Sequence, residues 1–348
     1  MILSKDTYPT PRIAAVQAAP VYFDRAACLD KIRSFTAKAK AEGADLVIFS
    51  ESFIPGFPTW VHLHAPIDQR DLYEQLVVSA VEVPGPAFYE LQKIARDNGV
   101  FLSVGVTEKD PSKSIGVTWN TNLIFDRAGN LIAHHRKLMP TWSEKLVWSF
   151  GDGSTLNVHE TELGRIGMLI CGENTNTLAK YALTSQGEQI HISTYPACFP
   201  TSRDPKGGQP YFDTLLTRAC ASSHEGKCFT AVVSQVIDDA GAEAISKGRE
   251  DLKELLREQT YGGTFIVGPA GNIVSNVIKD NEEGIAIADC DISREISLKG
   301  IHDLAGSYQR PDVYKFTLNK GPLSPVYIEE ETCPGGSKEF IPFTENEE

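Results

Sequence analysis

The sequence predicts a layered α/β fold in which mixed β-sheets are covered by helices on the outside. Short apolar segments, which are typical of buried strands, alternate along the chain with amphipathic segments, which are typical of helices. Residues 122–126 and 131–137 flank the turn sequence RAGN and predict an antiparallel hairpin, so we expect the sheets to mix parallel and antiparallel strands. No change of composition that would indicate a linker occurs before residue 292.

The first half of the chain is predicted to hold two helices between apolar strands. Asp24 is a suitable N-cap for the first helix, and Gly43 is suited to end it. Pro86 is expected at the start of the second helix and Gly99 at its end. The predicted strands are residues 12–18, 45–51, 100–108, 122–126 and 131–137.

The second half continues the same alternation. The predicted strands are residues 164–171, 190–194, 228–237, 263–268 and 284–292. Helices are predicted after residue 171 and over residues 211–223, and the charged segment 246–259 is expected to be a solvated helix or an insertion. Because the pattern weakens towards the C-terminus, we expect one domain over residues 10–292 and a C-terminal extension over residues 293–348 that is flexible or docks on a partner.

Composition and charge exclude several classes of function. The 348 residues carry a net charge of −13, which does not suit binding to nucleic acids or anionic membranes. No apolar run approaches the roughly 18 residues of a membrane span, and the N-terminus lacks the apolar core of a signal peptide. The seven cysteines include no CxxC pair, and no metal-ligand spacing is present. We therefore expect a cytoplasmic protein with reduced thiols and without a metal or cofactor.

Three predicted strands end on a reactive side chain. The segment DLVIFSE ends on Glu51, LIAHHRK ends on Lys137, and RIGMLIC ends on Cys171. Each residue alone is also compatible with a solvated strand end or with core packing. Because ligands gather at the carboxyl ends of strands in α/β sheets, the occurrence of all three favours a catalytic site.

These three side chains would form a coherent catalytic group. A cysteine thiolate is a strong nucleophile, and a nearby cation such as Lys137 favours the thiolate form of Cys171. Glu51 could act as general base and then as general acid towards a leaving nitrogen. Lys137 and the backbone N–H of Gly172 would stabilise the negative charge that develops on the attacked group.

Several longer segments resemble the nitrilase superfamily of carbon–nitrogen hydrolases, and within it the true nitrilase branch. They are AAVQAAPVYFD, ADLVIFSESFIPGFPTW, HRKLMPTWSEKLVWSFGDG, GRIGMLICGENTNTLAKYAL and YQRPDVYKF, and together they cover about residues 10–316 in order. The resemblance implies a four-layer α-β-β-α sandwich, mixed sheets with helices outside, and a Glu–Lys–Cys triad at Glu51, Lys137 and Cys171. It also implies a second catalytic glutamate downstream of the lysine, which Glu144 matches.

One position departs from the family pattern. Many nitrilases have a Trp directly after the nucleophile, whereas this chain has Gly172 followed by Glu173. We therefore expect a roomier or differently shaped pocket. The other candidate substrate-binding residues are Trp60, Tyr195 and Pro196, which lie in loops after strand ends; core packing is the alternative role for the aromatic residues.

The resemblance implies hydrolysis of an organic nitrile to a carboxylic acid and ammonia, through a thioimidate and then a thioester on Cys171. An amidase or N-carbamoyl hydrolase with the same triad is the nearest alternative. A non-catalytic binding member of the fold is another alternative, although it would be expected to lack a triad residue. A redox-sensing role of Cys171 is a third, and Cys198 would then be the candidate resolving cysteine.

The resemblance further implies a homodimer that extends to a larger spiral homo-oligomer.

Overall fold

Two β-sheets lie face to face in this computed structural model, which describes residues 8–204 and 210–323. The strands of the first sheet are β1 (Arg12–Gln17), β2 (Leu46–Ile48), β3 (Val81–Glu82), β4 (Phe101–Lys109), β5 (Thr118–Phe125), β6 (Leu131–Arg136) and β13 (Gly284–Asp289). The strands of the second sheet are β7 (His159–Thr161), β8 (Gly164–Ile170), β9 (Ile190–Thr194), β10 (Phe229–Val233), β11 (Gly262–Val267) and β12 (Ile278–Asp280). The helices are α1 (Arg25–Ala41), α2 (Arg70–Ser79), α3 (Pro86–Asn98), α4 (Thr177–Thr184), α5 (Tyr211–Gly226), α6 (Asp239–Ser246), α7 (Glu250–Gln259) and α8 (Arg294–Ile301).

Both sheets are mixed, as the hairpin signal predicts. In the first sheet the order is β13-β1-β2-β4-β5-β6, with β3 paired to β4; β1, β2 and β4 are parallel, whereas β5, β6 and β13 are antiparallel to their neighbours. The second sheet has the order β12-β11-β10-β9-β8-β7, with β8, β9 and β10 parallel at its centre. The carboxyl ends of these parallel strands carry the loops in which the candidate residues lie.

The strands of the first sheet are apolar on both faces because each face packs on another layer. In β1, Ile13 and Ala15 belong to the cluster between the two sheets, whereas Ala14 and Val16 face the layer of α1 and α3. Since side chains alternate along a strand, a continuous apolar run is what burial on both faces requires. Full burial of one large aliphatic side chain contributes about 1.5–3 kcal/mol.

The second sheet is covered on its outer face in the same way. Leu169 of β8 packs with Leu183 of α4, and Val232 of β10 packs with Leu215 of α5. The layers are therefore α1 and α3, the first sheet, the second sheet, and α4 and α5. This arrangement is the predicted α-β-β-α sandwich.

Local signals for helix ends are confirmed at α1 and α3. The Asp24 side chain accepts a hydrogen bond from the Ala27 N–H at 2.9 Å, as an N-cap does. Pro86 is the first residue of α3, and Gly99 ends it with φ 59°, a left-handed conformation that glycine adopts without strain.

The charged segment 246–259 is only partly as predicted. It contains the helix α7, but Leu252 and Leu256 are completely buried against neighbouring apolar residues. The helix therefore exposes its charged face and packs its leucine face, so it is only partly solvated. Helices α2, α6 and α8 and the short strands β3, β7 and β12 were not predicted, because so few residues give a weak periodic signal.

The chain beyond residue 292 begins with α8 and continues to residue 323 without further helix or strand in the described part. This segment packs back on the same chain, because the Phe316 ring meets the Tyr181 ring edge-on at 5.3 Å. The Leu323 N–H also donates to Asp152 at 2.7 Å. The rest of the predicted extension, residues 324–348, lies outside the described residues. No helix within residues 8–204 or 210–323 is long and apolar enough to cross a membrane.

Gly105 in β4 allows the loop that carries Glu51 to approach the sheet closely. A Cβ at this position would lie 2.3 Å from the Ser50 carbonyl oxygen, 2.6 Å from the Ser52 nitrogen and 2.8 Å from the Glu51 Cα. These atoms all belong to backbone, which cannot move aside as a flexible side chain could. The loop and its glutamate can therefore occupy this place only when residue 105 lacks a side chain.

We expect Gly105→Ala to lower the free energy of unfolding by about 1–3 kcal/mol or more, since overpacking forces backbone shifts. Urea unfolding measures this change. Gly300→Ala in α8 is the matched control: a Cβ there meets nothing within 4 Å, so its stability should stay equal or rise slightly. Equal stabilities of the two variants would contradict the prediction.

Candidate active site

The three predicted strand ends meet at one edge of the sandwich. Glu51 lies three residues after β2, and Lys137 directly follows β6, so both come from the first sheet. Cys171 directly follows β8 of the second sheet. The strands are slightly shorter than predicted, and all three residues therefore lie in the loops beyond them. The site is assembled across the gap between the two sheets.

The Lys137 ammonium lies between two carboxylates. Its Nζ donates to Glu51 Oε1 at 2.8 Å and to Glu144 Oε2 at 2.7 Å, and all three side chains are buried. Burial acts to lower the pKa of Lys137, but the charges of Glu51 and Glu144 outweigh it and hold that pKa well above its usual value. Lys137 is therefore a permanent cation in this site.

Glu51 is placed to accept a proton. Its Oε1 also accepts a hydrogen bond from Asn120 Nδ2 at 2.6 Å, whereas its buried Oε2 has no hydrogen-bond partner among the described residues. Burial raises the pKa of Glu51 to about 7; the charge of Glu144 adds to the rise, and Lys137 opposes it. A carboxylate with such a pKa can take up and return a proton near neutral pH.

Cys171 faces these carboxylates. Its sulfur and one carboxylate oxygen each of Glu51 and Glu144 lie within 4.8 Å of one another. Burial is the largest cause that raises the pKa of the Cys171 thiol; the charge of Glu51 adds to it, and Lys137 acts in the opposite direction. The resting residue is therefore a thiol, and formation of the thiolate requires a proton acceptor such as Glu51.

A strained turn presents Cys171. Its φ of 50° lies in the left-handed region, which costs a non-glycine residue roughly 1–2 kcal/mol. The turn is held from within its own sheet, because Asn174 Nδ2 donates to the Cys171 carbonyl oxygen at 3.1 Å. Asn174 in turn pairs its Oδ1 with His191 Nε2 of β9 at 2.8 Å. Gly172, whose N–H the sequence suggests as an anion-stabilising donor, is the next residue of this turn.

Two buried amides support Glu51 and were missed in the sequence. Asn120 in β5 contacts its side chain, and Gln235, which follows β10, donates to its backbone carbonyl oxygen at 2.6 Å. Both amide residues are at most 1% exposed. Polar residues within or directly after apolar strands were the available signal, but strand position alone does not indicate which neighbour they contact.

The predicted substrate-binding residues lie around this centre in different environments. Trp60 is 1% exposed in an apolar cluster with Phe57 and Trp148, and its Nε1 has no partner among the described residues. Tyr195 is also buried, in the cluster against which Cys171 packs, and its hydroxyl oxygen accepts a hydrogen bond from Ser193. The structure thus brings Tyr195 close to the nucleophile, whereas Trp60 shares a cluster with Trp148, whose ring centroid lies 6.0 Å from Lys137 Nζ.

Pro196 and Gly172 have backbone roles. The Pro196 carbonyl oxygen accepts a hydrogen bond from the Tyr211 hydroxyl, which fastens the loop after β9 to α5. A Cβ on Gly172 would lie 2.9 Å from Thr141 Oγ1, so the loop after Lys137 lies directly against the nucleophile turn. Trp142, which follows Thr141, is 64% exposed, and its ring centroid lies 5.1 Å from that of His62.

Within the described residues, one cluster of donor atoms is compact enough to hold a metal ion. It consists of Glu51, Glu144 and Cys171. The Lys137 ammonium already bonds to both carboxylates of this cluster. A metal ion would have to displace that ammonium, so the geometry suits proton transfer better than metal binding.

A partly buried cysteine beside a proton-accepting carboxylate and a paired lysine is typical of enzymes that form a covalent bond to their substrate. The chain belongs to the carbon-nitrogen hydrolase family, whose sequence model matches residues 12–299. It is 34% identical over 320 residues to an aliphatic nitrilase from Rhodococcus rhodochrous, covering 91% of this chain and 85% of that protein. It is 35% identical to a nitrilase from a Bacillus species, covering 92% of this chain and 91% of that protein.

The fold is similar to that of a carbon-nitrogen hydrolase from Helicobacter pylori. The TM-score is 0.68 at 17% sequence identity, and the match covers 88% of this chain and 97% of that one. At this identity the likeness supports the fold, whereas the sequence relatives support the family.

The pH dependence of the hydrolysis rate should report the ionisation of the Glu51 carboxylate. The base must be ionised to accept the thiol proton, so kcat/KM for hydrolysis should fall as the pH drops through about 7. Because the Glu144 charge helps to raise the pKa of Glu51, Glu144→Gln should move this acidic limb to lower pH, with a lower maximal rate. Rate profiles from pH 5 to 9 measure both effects, and a limb that stays in place or moves to higher pH would contradict this assignment.

Proposed function

We propose that this protein is a nitrilase that converts an organic nitrile to a carboxylic acid and ammonia. The observation that carries the proposal is the Cys171 thiol within 4.8 Å of the Glu51 carboxylate, whose Oε2 has no hydrogen-bond partner among the described residues. The match to proteins named nitrilases over more than 90% of this chain supports the nitrile as substrate. In this proposal Cys171 is the nucleophile, Glu51 moves protons, Lys137 stabilises negative charge and Glu144 holds Lys137.

The first stage forms a thioimidate. Glu51 takes the thiol proton, and the Cys171 sulfur forms a bond to the nitrile carbon. One π bond of the nitrile breaks, and its electron pair moves to nitrogen, which takes the proton back from Glu51. Lys137 and the Gly172 N–H stabilise the charge on nitrogen while it develops, and in a water-poor site such stabilisation is strong.

The second stage releases the products. Glu51 accepts a proton from water, whose oxygen attacks the thioimidate carbon, and the proton then passes to nitrogen. When the carbon–nitrogen bond breaks, the hydroxyl proton passes to nitrogen through Glu51, so ammonia leaves and a thioester remains on Cys171. A second water attacks the thioester, the carbon–sulfur bond breaks, and the acid is released with the thiol restored. If the carbon–sulfur bond broke before the carbon–nitrogen bond, the product would be the amide.

We infer that Trp60, Gly172, Tyr195 and Pro196 shape the substrate pocket. Tyr195 supports this by packing in the cluster that includes Cys171, and Pro196 holds the adjoining loop to α5. Gly172 supports it because a Cβ there would lie 2.9 Å from Thr141 Oγ1, so the glycine lets the loop after Lys137 lie directly against the nucleophile turn.

Purified enzyme should release ammonia and carboxylic acid from a panel of aliphatic, arylacetic and aromatic nitriles. We expect weaker turnover of the corresponding amides, and no turnover by Cys171→Ala, because no other group supplies the nucleophile. Cys220→Ala removes a partly exposed thiol in α5 outside the catalytic group and is the matched control, which should retain activity.

Product analysis by chromatography together with an ammonia assay decides the result. Turnover of amides but not of nitriles would overturn the proposal and assign an amidase with the same catalytic group. Full activity of Cys171→Ala would overturn the role of the nucleophile.

We infer that the chain forms a homodimer that extends to a larger spiral homo-oligomer. The α4 helix follows the nucleophile turn and exposes Leu178 at 64%. The described C-terminal segment exposes further apolar side chains, namely Tyr308, Val313 and Tyr314. Such a set on the surface suits contacts with another copy of the chain.

Leu178→Asp should lower the molar mass measured by size-exclusion chromatography with light scattering, because a charge in a buried apolar contact is unfavourable. Ile115→Asp, at a side chain that is 82% exposed between β4 and β5, is the matched control and should leave the mass unchanged. An unchanged mass of the Leu178→Asp protein would contradict an interface at α4.

We also infer that the protein works in the cytoplasm. The cysteines in the described residues are all free thiols, at positions 28, 171, 198, 220, 228 and 290. Free thiols persist in a reducing compartment, which supports this location. Cys333 lies outside the described residues.

A further inference from the structure

The Glu173 side chain connects the two sheets next to the catalytic group. Its Oε2 accepts the Ile170 N–H at 2.8 Å, and Ile170 directly precedes the nucleophile. Its Oε1 accepts the Leu138 N–H at 2.7 Å, and Leu138 directly follows Lys137. A single carboxylate therefore bonds the end of β8 in the second sheet to the loop after β6 in the first.

A third contact completes the environment of Glu173. His135 Nε2 of β6 lies 3.1 Å from Glu173 Oε2, and His135 Nδ1 lies 3.1 Å from Thr155 Oγ1. Glu173 is 6% exposed. Burial acts to raise the pKa of Glu173, but His135 and the N–H groups of Ile170 and Leu138 outweigh it and lower that pKa. The residue is therefore an ionised acceptor at both of its oxygens.

The catalytic group needs such a connection. Glu51 and Glu144 both accept hydrogen bonds from Lys137, and all three residues belong to the first-sheet side. The Cys171 sulfur takes no part in those bonds, and Asn174 holds its backbone to the second sheet. The position of the sulfur relative to Lys137 thus depends on contacts that join the sheets.

We propose that Glu173 is a positioning residue that sets the separation of the Cys171 nucleophile from Lys137 by joining the two sheets at this point. It does so through backbone N–H groups on either side, without contact to substrate. The proposal rests on the proposed function for the roles of Cys171 and Lys137. Glu173 takes part in no chemical step of the proposed nitrile reaction.

Glu173→Gln tests the connection with almost no change in size. An amide has a single acceptor oxygen, so its NH₂ group must face one of the N–H donors that the carboxylate now binds. We expect kcat to fall about 100-fold, as a misplacement of about 1 Å does, while KM changes much less. Glu173→Asp retains the charge but is one methylene shorter, so it should also lose most of kcat.

A second readout does not depend on the substrate. The groups that act on the Cys171 thiol are Glu51, Glu144, Lys137 and Arg218. The two carboxylates raise the pKa of the Cys171 thiol and Lys137 lowers it, so a shift of the sulfur relative to these groups changes the rate of alkylation by iodoacetamide at pH 8. Glu173→Asp keeps the negative charge, so an altered alkylation rate in this variant as well as in Glu173→Gln reports the position of the sulfur and not the loss of a charge. Because alkylation needs no nitrile, it tests Glu173 even if nitriles prove not to be substrates.

Glu295→Gln is the matched control. Glu295 is a buried carboxylate on α8 that bonds to Lys299 at 2.8 Å, so its removal perturbs a partly buried ion pair outside the catalytic group. It should leave kcat and the alkylation rate unchanged. Thermal unfolding of each variant gives the folded fraction by which rates are normalised.

Three results would overturn the proposal. They are a wild-type kcat in Glu173→Gln, a wild-type kcat or alkylation rate in Glu173→Asp, and a loss of kcat that disappears once rates are normalised to folded protein. An altered alkylation rate in both variants, with the expected loss of kcat, would support it.

Discussion

The buried ammonium of Lys137 between two carboxylates is the interaction on which the site depends. Removing an isolated ammonium from water is unfavourable by several kcal/mol, and Glu51 and Glu144 offset this by direct hydrogen bonds at 2.8 and 2.7 Å. The cluster keeps one net negative charge beside the sulfur when both carboxylates are ionised. Burial raises the pKa of both Cys171 and Glu51, and this negative charge adds to the rise. Cys171 is therefore a thiol, and the pKa of Glu51 is about 7.

The two-sheet architecture gives this cluster its shape. The cation and the carboxylates come from loops of the first sheet, and the nucleophile comes from a strained turn at the end of β8 in the second. Each sheet is rigid because apolar layers bury both of its faces, and at the edge that carries the site polar contacts add to the apolar packing between the sheets. Gln235 to the Glu51 carbonyl oxygen and Glu173 to the Leu138 N–H are two such contacts. Chemistry at Cys171 therefore depends on the interface between the sheets as much as on the loops.

Local signals in the sequence were sufficient for much of the fold. Apolar runs located the strands that carry Glu51, Lys137 and Cys171, and cap residues such as Asp24 and Gly99 located helix ends. Short elements such as α2 and β3 escaped, and the buried face of α7 was missed, because a few residues of amphipathic pattern do not show what packs on them. The longer segments around Glu51, Lys137 and Cys171 further indicated the family, since they contain the reactive residues and follow one another in the order typical of the family.

The sequence by itself determined which residue types stand at the strand ends, and hence that a thiol, a carboxylate and a lysine are available. Only the tertiary structure decided which of their atoms meet. Asn120 and Glu51 are 69 positions apart, and Gln235 and Glu51 are 184 apart, yet each pair is in hydrogen-bond contact. Whether Glu51 keeps a free oxygen, and how Glu173 spans two sheets, follows from packing across such distances. The physical reason is that burial and hydrogen bonding set the protonation and position of these groups, and both arise only after the sheets have closed on each other.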